Sequence, residues 1–203
     1  MLNIAVFVSG RGSNLKAIYE KVSKDKVRIC AVVTDRNDCG AVQFSIENKI
    51  PVYIVNAVNE STTFSYEKIV EQFNLIPVHL IVLAGFLKKI PDFLIEEYEN
   101  RIINIHPALL PSFGGKGMYG LNVHKAVLNS SAKISGATVH FVDKIYDHGK
   151  IIDQRTVDIS DLKTPEEIAA RVLKIEHELL PYIVEKFSEN KIAIKGNRVF
   201  LTE

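Results

Sequence analysis

The chain reads as an α/β protein built on a doubly wound, mostly parallel sheet of Rossmann-like type, and three features predict it. Short apolar runs alternate with helical patterns through the first half, a glycine-rich turn follows the first run directly, and an amphipathic stretch with a capping signal closes the last third. Ile4–Val8, Arg28–Thr34, Val52–Val55 and His79–Leu83 are rich in β-branched residues with little polar alternation, as in strands buried on both faces. Helical patterns fill the gaps at Asn14–Ser23, Ala41–Asn48 and Phe64–Phe73. Parallel neighbours need such crossovers, and right-handed ones place helices on the sheet. Ile102–Ile105 is the expected fifth strand.

The rhythm changes after Pro107. Pro111–Gly120 carries four glycines and predicts a long mobile loop, followed by a brief helix at His124–Leu128. Ala137–Val142 and Ile151–Val157 read as an antiparallel addition to the sheet, joined by a turn that holds Asp147. Thr164-Pro-Glu-Glu167 is a capping box with Pro at the first helical position. Ile168, Val172, Ile175, Leu179 and Ile183 then make one apolar stripe, so a long carboxy-terminal helix is expected. Glu176 falls close to that stripe, where a carboxylate is costly unless paired. No linker or repeat interrupts the chain, which predicts a single domain over 1–203.

Bulk properties exclude several classes. Apolar residues make up 47 % and charged residues 24 %, within the ordinary globular range. With 25 basic and 24 acidic residues the net charge is +1, which gives no support to nucleic-acid binding. Cys30 and Cys39 match no zinc spacing and are too few for a disulfide scaffold. The opening MLNIAVFVSG lacks a basic region and runs into a glycine turn, so it reads as a strand and not a signal peptide. No apolar run is long enough for a membrane span, and the expected location is cytoplasmic.

The chemistry concentrates at Asn104-Ile-His-Pro107 and at Asp147-His-Gly149. Two-residue alternation puts Asn104 and His106 on one strand face, and Pro107 ends the strand with both at its carboxyl tip. In open α/β sheets ligands bind at that tip. An amide donor, an imidazole and a carboxylate suffice to stabilise an oxyanion and move a proton. A histidine by itself is more often structural, and His124, His140, His148 and His177 are read as structural or surface residues. No His/Cys/Asp/Glu cluster has ligand spacing, so no metal is expected.

The first turn, Ser9-Gly-Arg-Gly-Ser-Asn14, joins a strand to a helix whose amino terminus favours phosphate. It is not a dinucleotide fingerprint, because Asn14-Leu15 stands where the third glycine belongs, although Asp35 after the second strand resembles a ribose-binding acid. A P-loop fails for want of Gly-Lys-Ser/Thr.

Taken in order, Ser9–Asn14, Leu83-Ala-Gly-Phe86, Asn104-Ile-His-Pro-Ala-Leu-Leu-Pro111, Gly136-Ala-Thr-Val-His-Phe-Val142 and Asp147-x-Gly149 resemble the phosphoribosylglycinamide formyltransferases, folate-dependent enzymes of purine synthesis, in their single-domain bacterial form. The match runs from Met1 to about Phe187. The Asn-x-His-Pro block and the later Asp mark the wider formyl-folate superfamily, and the Gly-Ser-Asn turn narrows it. The resemblance implies Asn104, His106 and Asp147 as catalytic residues. It implies Gly12, Ser13, Asn14 and Glu176 as binders of the phosphate and nucleotide. It places the folate along Leu87, Lys88, Lys89 and Ile90, largely through backbone groups, and against the loop Asp143, Lys144, Ile145, Tyr146 and Asp147.

The substrates so implied are 5-phosphoribosylglycinamide and 10-formyltetrahydrofolate, with no metal, nucleic acid or membrane, in a monomer or homodimer. The implied reaction is direct attack of the amine on the formyl carbon. Asn104 and His106 then stabilise the oxyanion, His106 also helping to deliver a proton to the leaving nitrogen, and Asp147 raises the His106 pKa, keeping it charged or readily charged, and fixes its tautomer. The same resemblance suggests a cis Leu110–Pro111 bond.

Three positions and one loop depart from the family. Thr63 stands where a basic residue is frequent, Leu173 where a Gln commonly binds nucleotide, and His148 replaces a glycine. The Phe113–Asn122 loop is longer and richer in glycine than in many members. Competing readings are a 10-formyltetrahydrofolate hydrolase, a methionyl-tRNA formyltransferase, or a non-enzymatic nucleotide-binding Rossmann module. The hydrolase normally carries a domain ahead of this core and the tRNA enzyme a basic domain after it, and neither is expected in this chain. The module leaves Asn104, His106 and Asp147 unexplained.

Overall fold

The computed structural model describes residues 1–55 and 63–202. Seven strands follow the order β3-β2-β1-β4-β5-β6-β7 in one mostly parallel sheet, and β8-β9 form a separate hairpin. The chain divides into two compact units, Met1–Ile103 and Asn104–Glu203.

In the first unit β1 (Leu2–Phe7) pairs in parallel with β2 (Val27–Thr34) and β4 (Leu80–Leu83), and β2 pairs with β3 (Val52–Ile54). The strands lack polar alternation because both faces are covered: Ile4, Phe7, Val32 and Ile81 are all fully buried. Each such side chain contributes roughly 1.5–3 kcal/mol relative to exposure. Phe7 stacks edge-on against Phe73 and Phe86, at centroid distances of 6.3 and 5.4 Å.

The helices are α1 (Ser13–Lys21), α2 (Gly40–Glu47), α3 (Tyr66–Leu75) and α4 (Asp92–Glu97). α3 starts two residues later than its apolar pattern predicts. The cause is Ser65, whose hydroxyl caps the helix by accepting from Lys68 N–H, while Phe64 forms an isolated bridge with Val55. α4 is not foreseen, being a short helix that opens after Pro91.

β5 (Ile102–His106) carries Asn104 and His106 into the second unit. There α5 (Leu121–Asn129) is longer than its pattern suggests, and β6 (Ile134–Phe141) runs antiparallel to β7 (Ile151–Asp158) with an irregularity at Val139/His140. α6 (Pro165–Ser188) opens with the expected capping box and buries Ile168, Val172, Leu179 and Ile183. It packs on α5, β6 and β7. The hairpin β8 (Ile192–Lys195) and β9 (Arg198–Leu201) is unanticipated, although its Gly196-Asn197 turn is a recognisable hairpin signal. Among the described residues no helix is long and apolar enough to cross a membrane.

Candidate active site

In the first unit the β1–α1 turn is built for close approach. Gly12 has φ 75°, and a Cβ there would lie 3.0 Å from Ala41 Cα, so only glycine fits without strain. α1 begins at Ser13 without a side-chain cap, which leaves its amino-terminal dipole to favour an anion. Asn14 is buried. Ser9 ties this turn to the segment after β4: its N–H donates to Gly85 O at 3.1 Å, and its Oγ accepts from Leu87 N–H at 2.9 Å. In that segment Leu87 is exposed and Ile90 buried. Lys88 stands 3.9 Å from Asp35, and Lys89 pairs with Asp92 at 3.1 Å. Asp35, the ribose-like acid of the sequence, is thus beside a cation.

The second unit brings Asn104, His106 and Asp147 together. Asp147 Oδ2 lies 3.6 Å from His106 Nδ1, and His106 is only 3 % exposed. The sequence did not reveal the fourth member, His140. Its Nε2 is 3.1 Å from Asn104 Nδ2 and 3.7 Å from Asp147 Oδ1, which places it against both predicted site residues. Its signal was Thr138 and His140, two polar residues at strand spacing inside an apolar run, both buried.

The loop after Pro107 is held rather than loose at this point. Thr138 Oγ1 donates to Ala108 O at 2.7 Å and accepts from Leu110 N–H at 3.1 Å, while Gln154 Nε2 donates to Thr138 Oγ1 and Leu110 O, both at 2.9 Å. Leu110–Pro111 is cis, as expected. His106 Nε2 lies 2.8 Å from Phe113 O, and Gly115 N–H donates to Asp147 Oδ2 at 2.8 Å.

The turn before Asp147 is organised by Asp143. Its carboxylate accepts from Ile145 N–H at 2.8 Å and lies 2.8 Å from His148 Nδ1, leaving Ile145 and Tyr146 exposed. His148 is therefore a partner of Asp143. Gly149 has no substitute, because a Cβ there would fall 1.9 Å from Phe141 O. Glu176 is buried on α6, which settles the position that its place beside the stripe left open.

Electrostatics correct one expectation. Asp147 and the Phe113 carbonyl do raise the His106 pKa, but burial outweighs them and the nearby His140 ring opposes them too, so it lies below its ordinary 6.5. Burial pushes the Asp147 carboxyl up, yet His140, the charge of His106 and the Gly115 N–H together hold it below the usual range. His124 is lowered further, to about 4, by burial and then by His106. Both directions favour a neutral imidazole beside a carboxylate. Among the described residues no group of His, Cys, Asp and Glu is placed to hold a metal ion.

The doubly wound sheet thus carries an amide and an imidazole at the tip of β5, with a carboxylate from the β6–β7 turn beside the imidazole. Residues 2–184 match the formyl transferase family, and the chain belongs to it. Within that family it is 44 % identical to the chloroplastic phosphoribosylglycinamide formyltransferase of Vigna unguiculata, over 98 % of this chain and 65 % of that protein. It is 34 % identical to phosphoribosylglycinamide formyltransferase of Bacillus subtilis, over 92 % of this chain and 94 % of that one. The crystal structure of the Anaplasma phagocytophilum phosphoribosylglycinamide formyltransferase superposes with a TM-score of 0.89 at 32 % identity, covering 100 % of this chain and 95 % of that one. The chain thus spans just under two thirds of the Vigna protein and nearly all of the bacterial ones.

Proposed function

We propose that this chain transfers the formyl group of 10-formyltetrahydrofolate to the amine of 5-phosphoribosylglycinamide in de novo purine (IMP) synthesis, the activity classed EC 2.1.2.2. The observation that carries the reading is the grouping of Asn104, His106 and His140 around Asp147. The amine attacks the formyl carbon, and the carbonyl oxygen gains charge. Asn104 Nδ2, already oriented by His140, supplies a hydrogen to that oxygen; removing such a donor typically costs about 3–4 kcal/mol of transition-state stabilisation.

The proton lost by the attacking nitrogen must reach the leaving N10. His106 and Asp147 are the groups that move it, one basic nitrogen beside one carboxylate. Their 3.6 Å gap is longer than a hydrogen bond, as is common before substrate tightens a site. A neutral His106 suits this step, because it can first accept a proton.

Binding is assigned on the same footing. Gly12, Ser13 and Asn14 hold the substrate phosphate at the α1 amino terminus, and Glu176 meets the nucleotide. Leu87, Lys88, Lys89 and Ile90, with Asp143, Lys144, Ile145, Tyr146 and Asp147, receive the folate. The chain acts as one formyltransferase domain over 1–203, cytoplasmic, monomeric or homodimeric, with neither nucleic acid nor membrane as partner.

The test is a spectroscopic assay with 10-formyl-dideazafolate and glycinamide ribonucleotide, omitting each in turn. Absorbance change that needs both substrates is the expected result. Folate turnover without the nucleotide would instead mark a hydrolase.

A further inference from the structure

Two backbone groups of the glycine-rich loop end on the ionisable side chains of the site. The Phe113 carbonyl sits 2.8 Å from His106 Nε2, and Gly115 N–H donates to Asp147 Oδ2 at 2.8 Å. A carbonyl oxygen only accepts. His106 Nε2 therefore carries a hydrogen, and in the neutral ring Nδ1 is a bare acceptor 3.6 Å from the carboxylate. The same logic fixes the second ring. His140 Nδ1 lies 2.7 Å from Phe141 O and so carries the hydrogen, which leaves Nε2 to accept from Asn104 Nδ2 at 3.1 Å.

We infer that the Phe113–Gly115 backbone is a positioning element for the transfer: it locks His106 as the Nε2–H tautomer, makes Nδ1 the nitrogen that takes up and releases the proton, and holds Asp147 Oδ2 beside it. The role in turnover rests on the proposed formyl transfer, but the tautomer does not. Nδ1 accepts the proton shed by the attacking amine as the new C–N bond forms. It returns that proton to N10 as the old C–N bond breaks. The Nε2 hydrogen stays on Phe113 O throughout, and no net proton is gained or lost by the enzyme.

The loop's conformation is specific to this task. Phe113 holds φ 57° and Gly115 φ 97°, both in the left-handed region, and a non-glycine residue persists there only when its surroundings enforce it. Between them Gly114 sits in a tight gap that a side chain would crowd. A Cβ on it would lie 2.5 Å from Leu110 Cδ2 and 3.1 Å from Asp147 Cβ. Gly114 and Gly115 are thus the residues that let this backbone press on the site.

Long-range 1H–15N spectra of histidine-labelled protein test the assignment, with His106→Gln identifying the signals. Above the His106 titration range, a protonated Nε2 and a bare Nδ1 are expected, and an Nδ1–H ring overturns the inference. Gly114→Ala should release the loop. His106 is then expected to show mixed tautomers, with kcat down by about 10- to 100-fold and the KM for nucleotide little changed. An unaltered tautomer and turnover in Gly114→Ala would defeat the positioning role. Should that variant not fold, the wild-type spectrum still decides which nitrogen is bare. Absence of any transfer by the wild type, with the tautomer as expected, would fail the proposed function and not the assignment.

Discussion

At the level of single residues, the site depends on orientation more than on charge. An amide in solution turns freely, but Asn104 spends one N–H on His140 Nε2, so its remaining N–H has a defined direction. In the proposed transfer His140 acts through Asn104, not on substrate. The expected outcome is that Asn104→Ala loses about 10²–10³ in kcat. His140→Ala should lose less, about tenfold, and the double variant should be no worse than Asn104→Ala alone, because coupled residues are not additive. Steady-state kinetics on the three proteins decide it; additive losses would show that His140 has a role of its own. Asn104 and His106 were legible because a strand of known register ends at Pro107. His140 was not, since its strand bends at Val139/His140 and its partner arrives from a different strand.

Elements were legible where local chemistry sets their ends. Thr164 accepts from Glu167 N–H, while the Glu167 carboxylate accepts from both Lys163 and Thr164 N–H at 2.8 and 3.0 Å. Those bonds hold the Glu167 carboxyl below its usual range. α6 carries Glu176 and much of the second unit's core, so its first turn matters beyond its own residues. Thr164→Ala is expected to cost about 1 kcal/mol, measured by denaturant unfolding, with Thr164→Ser restoring most of it. A serine variant as weak as alanine would remove the hydroxyl from the account. α4 was missed because it is too short to show a period, and α3 was placed early because its apolar pattern begins before its cap. The β8–β9 hairpin was overlooked despite a usable Gly-Asn signal, since its strands are only four residues long and half exposed.

For the whole molecule, the buried histidines make stability a function of pH. His124 is 4 % exposed with Nδ1 lacking a hydrogen-bond partner, and its pKa falls from 6.5 to about 4. The unfolded chain binds that proton more readily than the folded one. Between the two pKa values stability therefore rises with pH, and it is lost as pH drops from 6.5 toward 4. His106 is shifted the same way. Asp147, lowered below its usual value, adds stability at neutral pH that is lost as the carboxyl protonates in more acidic solution. One lowered imidazole of this size accounts for about 3 kcal/mol across its window, at 1.36 kcal/mol per unit. His124→Gln should thus flatten the slope of unfolding free energy against pH in that window, whatever it does to stability at neutral pH. Because substitution in a core shifts the whole curve, the slope and not the intercept is diagnostic. Denaturant melts at a series of pH values give it directly, and a variant whose slope matches the wild type would mean that His124 does not resist protonation in the fold.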